Sequence, residues 1–454
     1  MRRLTLLPYA LWAVLCTAYA TLALARFHRL ETPSWDNAIF EQAIRGYASL
    51  GAPIVDIKGP GYNILGDHFS PITALVAPFY RLFPDATTLL IVQAVLVSFS
   101  AVPITRLALA RLGTASGITI AIAYGLSFGI ASAVYVDFHE VAFAAPLLAL
   151  AGAAYVNRRW TRVAVWSSLL IFVKEDMGLT IVAVGVVLAL SGSRRVGALL
   201  AVGGLVGFVL VLTVIIPAFN PAGTYDYFGV LSGDRPGGPG PLTTFFTAWD
   251  TKILTVALTL GITGFMALRS PWVLVAGPTL LWRLVGDNDY YWGTDWHYSL
   301  VLMPVVFVAM IDAIVRLRAD EHPGRIGRYA AHAPAIAGAV AVVLAMQYPL
   351  AQIFQPETYA ASPRDTAAND VMELIPEGAS VETDIGLMTH LTSDRTVYWT
   401  GTVGSAVPDY VLIDTQAGWS ALPDVVSYAH ERHPGAEYEQ IFDRDGYLLA
   451  RRER

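Results

Sequence analysis

Five groups of ionisable and aromatic residues stand out from an apolar background, and each has a definite chemistry. Trp35-Asp36-Asn37 puts a carboxylate just past the first apolar run. That carboxylate suits a general base or a metal ligand, or simply caps an amphipathic helix expected over 37–50. Asp67-His68 follows Gly59-Pro60-Gly61 and Gly66, so an acid/base pair sits in a turn whose backbone can approach a ligand, although an ordinary loop has the same composition. Asp137-Phe138-His139-Glu140 offers oxygen and nitrogen donors suited to a divalent cation such as Mg or Mn, which would relieve their mutual repulsion. A solvated helix end is the alternative.

Lys174-Glu175-Asp176 interrupts a strongly apolar stretch. Lys174 suits an anionic phosphate, with Glu175 and Asp176 orienting it or a metal, unless the three only neutralise one another. The fifth group joins Arg283 to Trp296-His297-Tyr298. Arg283 and His297 suit phosphate, and the Trp and Tyr faces suit sugar rings or a lipid neck, while an aromatic belt at a membrane interface accounts for the same residues.

The elements that must carry these groups are helices in a membrane. With 55% hydrophobic and only 15% charged residues among 454, the chain is too apolar for a soluble domain, which carries about 25% charged. The net charge of -6 argues against nucleic acid as a partner. The lone cysteine, Cys16, rules out an internal disulfide framework. Apolar runs near 5–25, 87–109, 115–136, 141–157, 163–173, 177–192, 197–217, 253–268, 271–286, 299–316 and 331–350 give about eleven crossings. Arginines cluster after the even-numbered runs (Arg106, Arg158, Arg194, Arg269 and Arg316 among them), which places those loops and the amino terminus in the cytoplasm. The five groups then share the outer side, and Lys174-Glu175-Asp176 becomes the tip of a shallow hairpin.

Residues 1–350 therefore read as a transmembrane module, with a first external loop over 26–86 and a second over 218–250. The first loop carries a further interfacial segment over 70–83. The second loop, with Tyr225-Asp226-Tyr227 and a Gly/Pro tract over 233–239, reads as a lid. From 351 to 454 the composition becomes soluble: a helix, strands near 379–383, 395–399 and 410–414, a helix over 422–432, and a hairpin over 438–450 turning at Asp445-Gly446. The fold class is an all-α polytopic membrane bundle with a small carboxyl-terminal extracytoplasmic α/β domain.

At Trp35-Asp36-Asn37 with Phe40-Glu41-Gln42, Asp67 to Pro71, Asp137 to Glu140, Val173 to Asp176 and Trp296-His297-Tyr298, the chain resembles the bacterial membrane family "domain of unknown function 2079" over nearly its whole length. That family in turn resembles the GT-C superfamily of glycosyltransferases, which draw sugars from polyprenyl-phosphate donors on the external face. The resemblance implies a membrane glycosyltransferase in the bacterial plasma membrane, with a glycan, lipid or protein acceptor. Asp36 would be the catalytic base. A metal would be shared by Asp36, Asp137, His139 and Glu140, while Lys174, Arg283 or His297 would hold the donor phosphate. Asp67, His68, Glu175, Asp176 and Tyr298 would support them. Asp36 lacks the adjacent acidic residue of protein mannosyltransferases, which puts the metal in question. A transporter or lipid flippase, and a non-catalytic membrane scaffold, are the competing readings.

Overall fold

The structure, a computed structural model, describes residues 2–227, 240–322, 324–417 and 424–453. The Gly/Pro tract read as a lid lies outside the described residues. The chain is mostly helical with a small carboxyl-terminal sheet.

Every apolar run has a helical counterpart, but among the described residues only five helices, or six with one bent pair, are long and apolar enough to cross a bilayer, fewer than the eleven crossings expected. Thr5–His28, Ala86–Leu112, Thr114–Tyr135, Arg194–Phe219 and Gly324–Ala345 are each long and apolar enough to cross a bilayer. A sixth span combines Asp289–Ser299 and Leu302–Arg318, which meet at 66°. Glu140–Val156, Trp160–Phe172, Met177–Leu190 and Pro271–Val285 are apolar but short. At 1.5 Å per residue a helix of 14 residues, such as Met177–Leu190, rises only about 21 Å against a hydrocarbon core of about 30 Å.

Leu302–Arg318 is the central post: every residue from Leu302 to Ile314 is buried, as expected of a helix that is apolar all round. Its one buried charge, Asp312, accepts from Ser270 Oγ and Arg316 Nε, both at 2.6 Å. Arg194–Phe219 and Gly324–Ala345 run along the periphery with apolar side chains such as Leu205, Val209 and Val343 exposed.

The carboxyl-terminal sheet has the order β2-β1-β3-β5-β4. β1 (Ser380–Thr383) pairs in parallel with β2 (Thr396–Trp399) and β3 (Tyr410–Asp414), whereas β4 (Tyr438–Arg444) and β5 (Tyr447–Arg452) form an antiparallel hairpin on β3. Asp445 and Gly446 turn that hairpin with positive φ of 52° and 88°, the requirement of a type I′ turn.

The first loop is part of this domain's core. Ala38, Ile39 and Ala43 of the helix Trp35–Ala48, with Val55 and Ile57, bury against Val381, Val397, Leu412 and Leu449. Polar contacts fix the docking: Arg45 donates to Thr392 O and Arg395 O at 2.7 and 2.9 Å, and Asn37 Nδ2 to Thr389 Oγ1 at 2.7 Å. The helix begins two residues earlier than expected, and Ser34, not Asp36, occupies the capping position. Ser34 takes a left-handed φ of 71°, and its Oγ accepts from Thr389 N at 2.8 Å, across the interface. Asp36, released from capping, stands in the first helical turn.

Candidate active site

Four breaks in helical structure bring the polar groups together. Asp36 enters on the helix that follows the first span. His139 and Glu140 follow the end of Phe128–Tyr135, where the chain runs extended before turning into the next helix. Lys174, Glu175 and Asp176 fill the turn between Trp160–Phe172 and Met177–Leu190. His297 and Tyr298 lie in the tight turn His297–Ser299 at the elbow of the bent span. Gly129 lets that elbow pack closely, since a Cβ there would stand 2.7 Å from Ser299 O.

These residues, with His68, line one cavity of about 710 Å³. Asp36 Oδ2 lies 3.0 Å from His139 Nε2, an ion contact outside hydrogen-bond alignment. The His139 ring is 3.5 Å from that of His297, centroid to centroid. Lys174 Nζ lies 2.9 Å from Glu140 Oε1. His68 Nδ1 meets Glu175 Oε1 at 2.7 Å, and Phe69 N donates to the other carboxylate oxygen at 3.1 Å.

The electrostatics follow from burial and pairing. Burial presses the Asp36 carboxyl upward, but His139, Lys174 and His68 outweigh it and hold the group below its ordinary range. Burial works against a charged His139 too, yet Asp36 and Glu140 raise it. For Glu175, burial is overcome by His68 and Lys174, and its pKa falls to about 2. Asp176 keeps the effect of burial and rises to about 6. Burial also opposes the charge on Lys174, and the carboxylates of Glu140, Glu175 and Asp176 overcome it. The cavity thus presents a poised carboxylate next to an imidazole, and an ammonium among acids.

Three expected site residues lie outside the cavity lining. Arg283 is buried outside the cavity lining, and its guanidinium donates to Tyr291 O at 2.7 Å, Gly293 O at 2.6 Å and Ser299 Oγ at 3.1 Å, so it braces the aromatic loop. Asp67 pairs with Lys58 at 3.0 Å. The Asp137 carboxylate is buried, with the Ser34 backbone beside it and no well-aligned hydrogen bond among the described residues, and burial, then Asp36, pushes it up to about 6. The expected metal set does not converge: among the described residues no three His, Cys, Asp or Glu side chains gather as a metal would require. Only Asp36 and His139 Nε2 approach one another, at 3.0 Å, while Glu140 is held by Lys174 at 2.9 Å. These residues do not fit a bound divalent cation.

Several contributors were not legible one residue at a time. Gln93, in the middle of an apolar span, donates to Ala133 O and Asp137 O at 3.0 and 2.8 Å and accepts from His139 N at 2.9 Å, fixing the turn that aims His139. Tyr225 donates to Glu175 Oε1 at 3.0 Å, and Tyr227 stacks on His68 at 4.6 Å. The pairing of aromatic and acidic residues in Tyr225-Asp226-Tyr227 was the only signal. Ile385 and Trp399 of the carboxyl-terminal domain close the cavity from above the helices.

Residues 26–449 match the family described as "Predicted membrane protein (DUF2079)". No curated protein matches the chain. Among solved structures, the Archaeoglobus fulgidus oligosaccharyltransferase in complex with Zn and sulfate is similar, with 14% identity and a TM-score of 0.45 over 96% of this chain and 72% of that one.

Proposed function

The chain belongs to this family of predicted membrane proteins, and from the chemistry gathered in its cavity we propose that it is a membrane glycosyltransferase. In this reading it moves a sugar from a polyprenyl-phosphate donor to an acceptor hydroxyl on the extracytoplasmic face of the bacterial plasma membrane. One observation carries the proposal: the Asp36 side chain is 37% exposed to the cavity while its partner His139 is 4% exposed, and the Lys174 ammonium lines the same space.

A polyprenyl-phosphate sugar already carries a good leaving group, so the protein needs position, one base and stabilisation of the departing phosphate. The acceptor oxygen attacks the anomeric carbon from the face opposite the phosphate. The carbon–oxygen bond to phosphate breaks with its electron pair left on the phosphate oxygen, and the acceptor proton passes to Asp36. His139 keeps Asp36 ionised before attack, and Lys174 offers positive charge to the phosphate, whereas burial and then the neighbouring His139 and Lys174 hold His297 neutral, so it contributes a hydrogen-bonding group and no charge. Leu179, Phe208 and Leu212 supply an apolar wall for the isoprenoid chain. No step is routed through a metal.

The test is purified protein in nanodiscs given a panel of radiolabelled polyprenyl-phosphate sugars with candidate glycan, lipid and peptide acceptors. Label leaving the donor for an acceptor supports the transferase. Label that stays on the donor throughout, with transbilayer movement of that donor in sealed vesicles, supports the flippase instead.

A further inference from the structure

Trp399 ends β2, Trp35 opens the helix Trp35–Ala48, and the two indoles meet edge to face with centroids 4.7 Å apart. Both line the cavity and both are half-buried. Backbone holds Trp399 in place: a Cβ added at Gly401 would stand 2.5 Å from its Cη2, so only glycine allows the chain to close against that ring. Ile385, just past the end of β1 and 41% exposed, lines the same wall. The carboxyl ends of the parallel strands β1 and β2 therefore face the cavity, the edge of a parallel sheet at which α/β domains hold ligands. Tyr290 and Trp296, which line the same cavity, form a second aromatic pair, 4.9 Å apart.

We propose that the Trp35–Trp399 wall binds a carbohydrate, so that the acceptor is a glycan. The inference rests on the transferase reading for the word acceptor, not for the binding. Two aromatic pairs lining one cavity with the polar side chains of Asp36 and Asn288 suit a pyranose, whose C–H faces stack on rings and whose rim of hydroxyls needs planar polar partners. A peptide would use the open edge of β2, but the first loop engages it: Gln42 Nε2 donates to Val397 O at 3.0 Å, and just past the strand Thr402 Oγ1 donates to Ile57 O. A lipid acceptor would leave the polar side chains that line the cavity beside these rings unmatched.

The experiment is calorimetric titration of the full chain in nanodiscs with chitotriose, maltotriose and mannotriose, and with an unglycosylated hexapeptide for comparison. The wild type binds at least one trisaccharide and not the peptide. Trp399→Ala and Gly401→Ala each weaken that binding about tenfold, which corresponds to roughly 1.4 kcal/mol. Trp399→Phe keeps a ring and stays near wild type, which separates loss of the platform from loss of the domain. Failure of every trisaccharide to bind, or equal binding by Trp399→Ala, overturns the proposal. Because binding is read without turnover, a protein that holds trisaccharides but transfers no sugar refutes the transferase and leaves the platform standing.

Discussion

Asp36 and His139 stand on separate segments of the chain, yet Asp36 Oδ2 and His139 Nε2 are 3.0 Å apart, one facing the cavity and the other buried behind it. The imidazole's opposite nitrogen is tied to Asp137 O at 3.0 Å, so the ring is oriented by backbone and its free edge serves the carboxylate. Because His139 is the main influence lowering the Asp36 pKa, His139→Gln lets Asp36 protonate at higher pH. The acid limb of the rate profile then moves to higher pH; an unmoved limb shows that His139 does not govern Asp36.

Lys174 and Glu140 form a contact of 2.9 Å in which the Glu140 side chain is 2% exposed. Removing the ammonium alone, in Lys174→Met, leaves a buried carboxylate unpaired and costs about 3 kcal/mol, seen as a lower thermal midpoint. Lys174→Met with Glu140→Gln recovers the midpoint but not donor affinity. Recovery of both confines Lys174 to a structural role.

Arg283 braces the loop that carries the aromatic wall. Arg283→Lys loses part of its fork of hydrogen bonds and lowers stability by about 2 kcal/mol, with little change in donor KM once the protein is folded. A selective rise in donor KM at unchanged stability returns Arg283 to the phosphate.

Glu41 joins the first loop to the carboxyl-terminal domain, accepting from Tyr80 OH at 2.9 Å and from Thr392 Oγ1. Burial raises its pKa from 4.5 to about 8. A carboxyl raised on folding stabilises the fold fully below pH 4.5, and that contribution is lost as pH rises through 8. Thermal midpoints measured from pH 6 to 9 fall more steeply for the wild type than for Glu41→Gln. Parallel curves show that Glu41 does not couple docking to pH.

Much of this was legible where one residue type contradicts its surroundings. Lys174-Glu175-Asp176 announces itself as charge inside an apolar stretch, and Asp445-Gly446 as the one pair suited to a hairpin with two positive φ angles. The reading falls short wherever distant backbone decides the outcome. Ser34, not Asp36, stands at the start of the helix, and its hydroxyl accepts from Thr389 N, far along the chain, not from the helix's own first turn. Arg283 looks free in sequence, but the carbonyls of Tyr291 and Gly293 fold back on it. The eleven apolar runs overstate the full spans because apolarity does not reveal where a helix breaks. The boundary drawn at residue 351 separates segments that share a core, since Ala38 and Val381 are neighbours only in three dimensions.

The most direct test is the transfer rate of Asp36→Asn, measured beside wild type at equal membrane abundance and thermal midpoint with a donor the wild type uses. Loss of at least about a hundredfold is expected, because the amide carries no charge and does not take up the acceptor proton. A variant that turns over at the wild-type rate contradicts the assignment of Asp36 as the base.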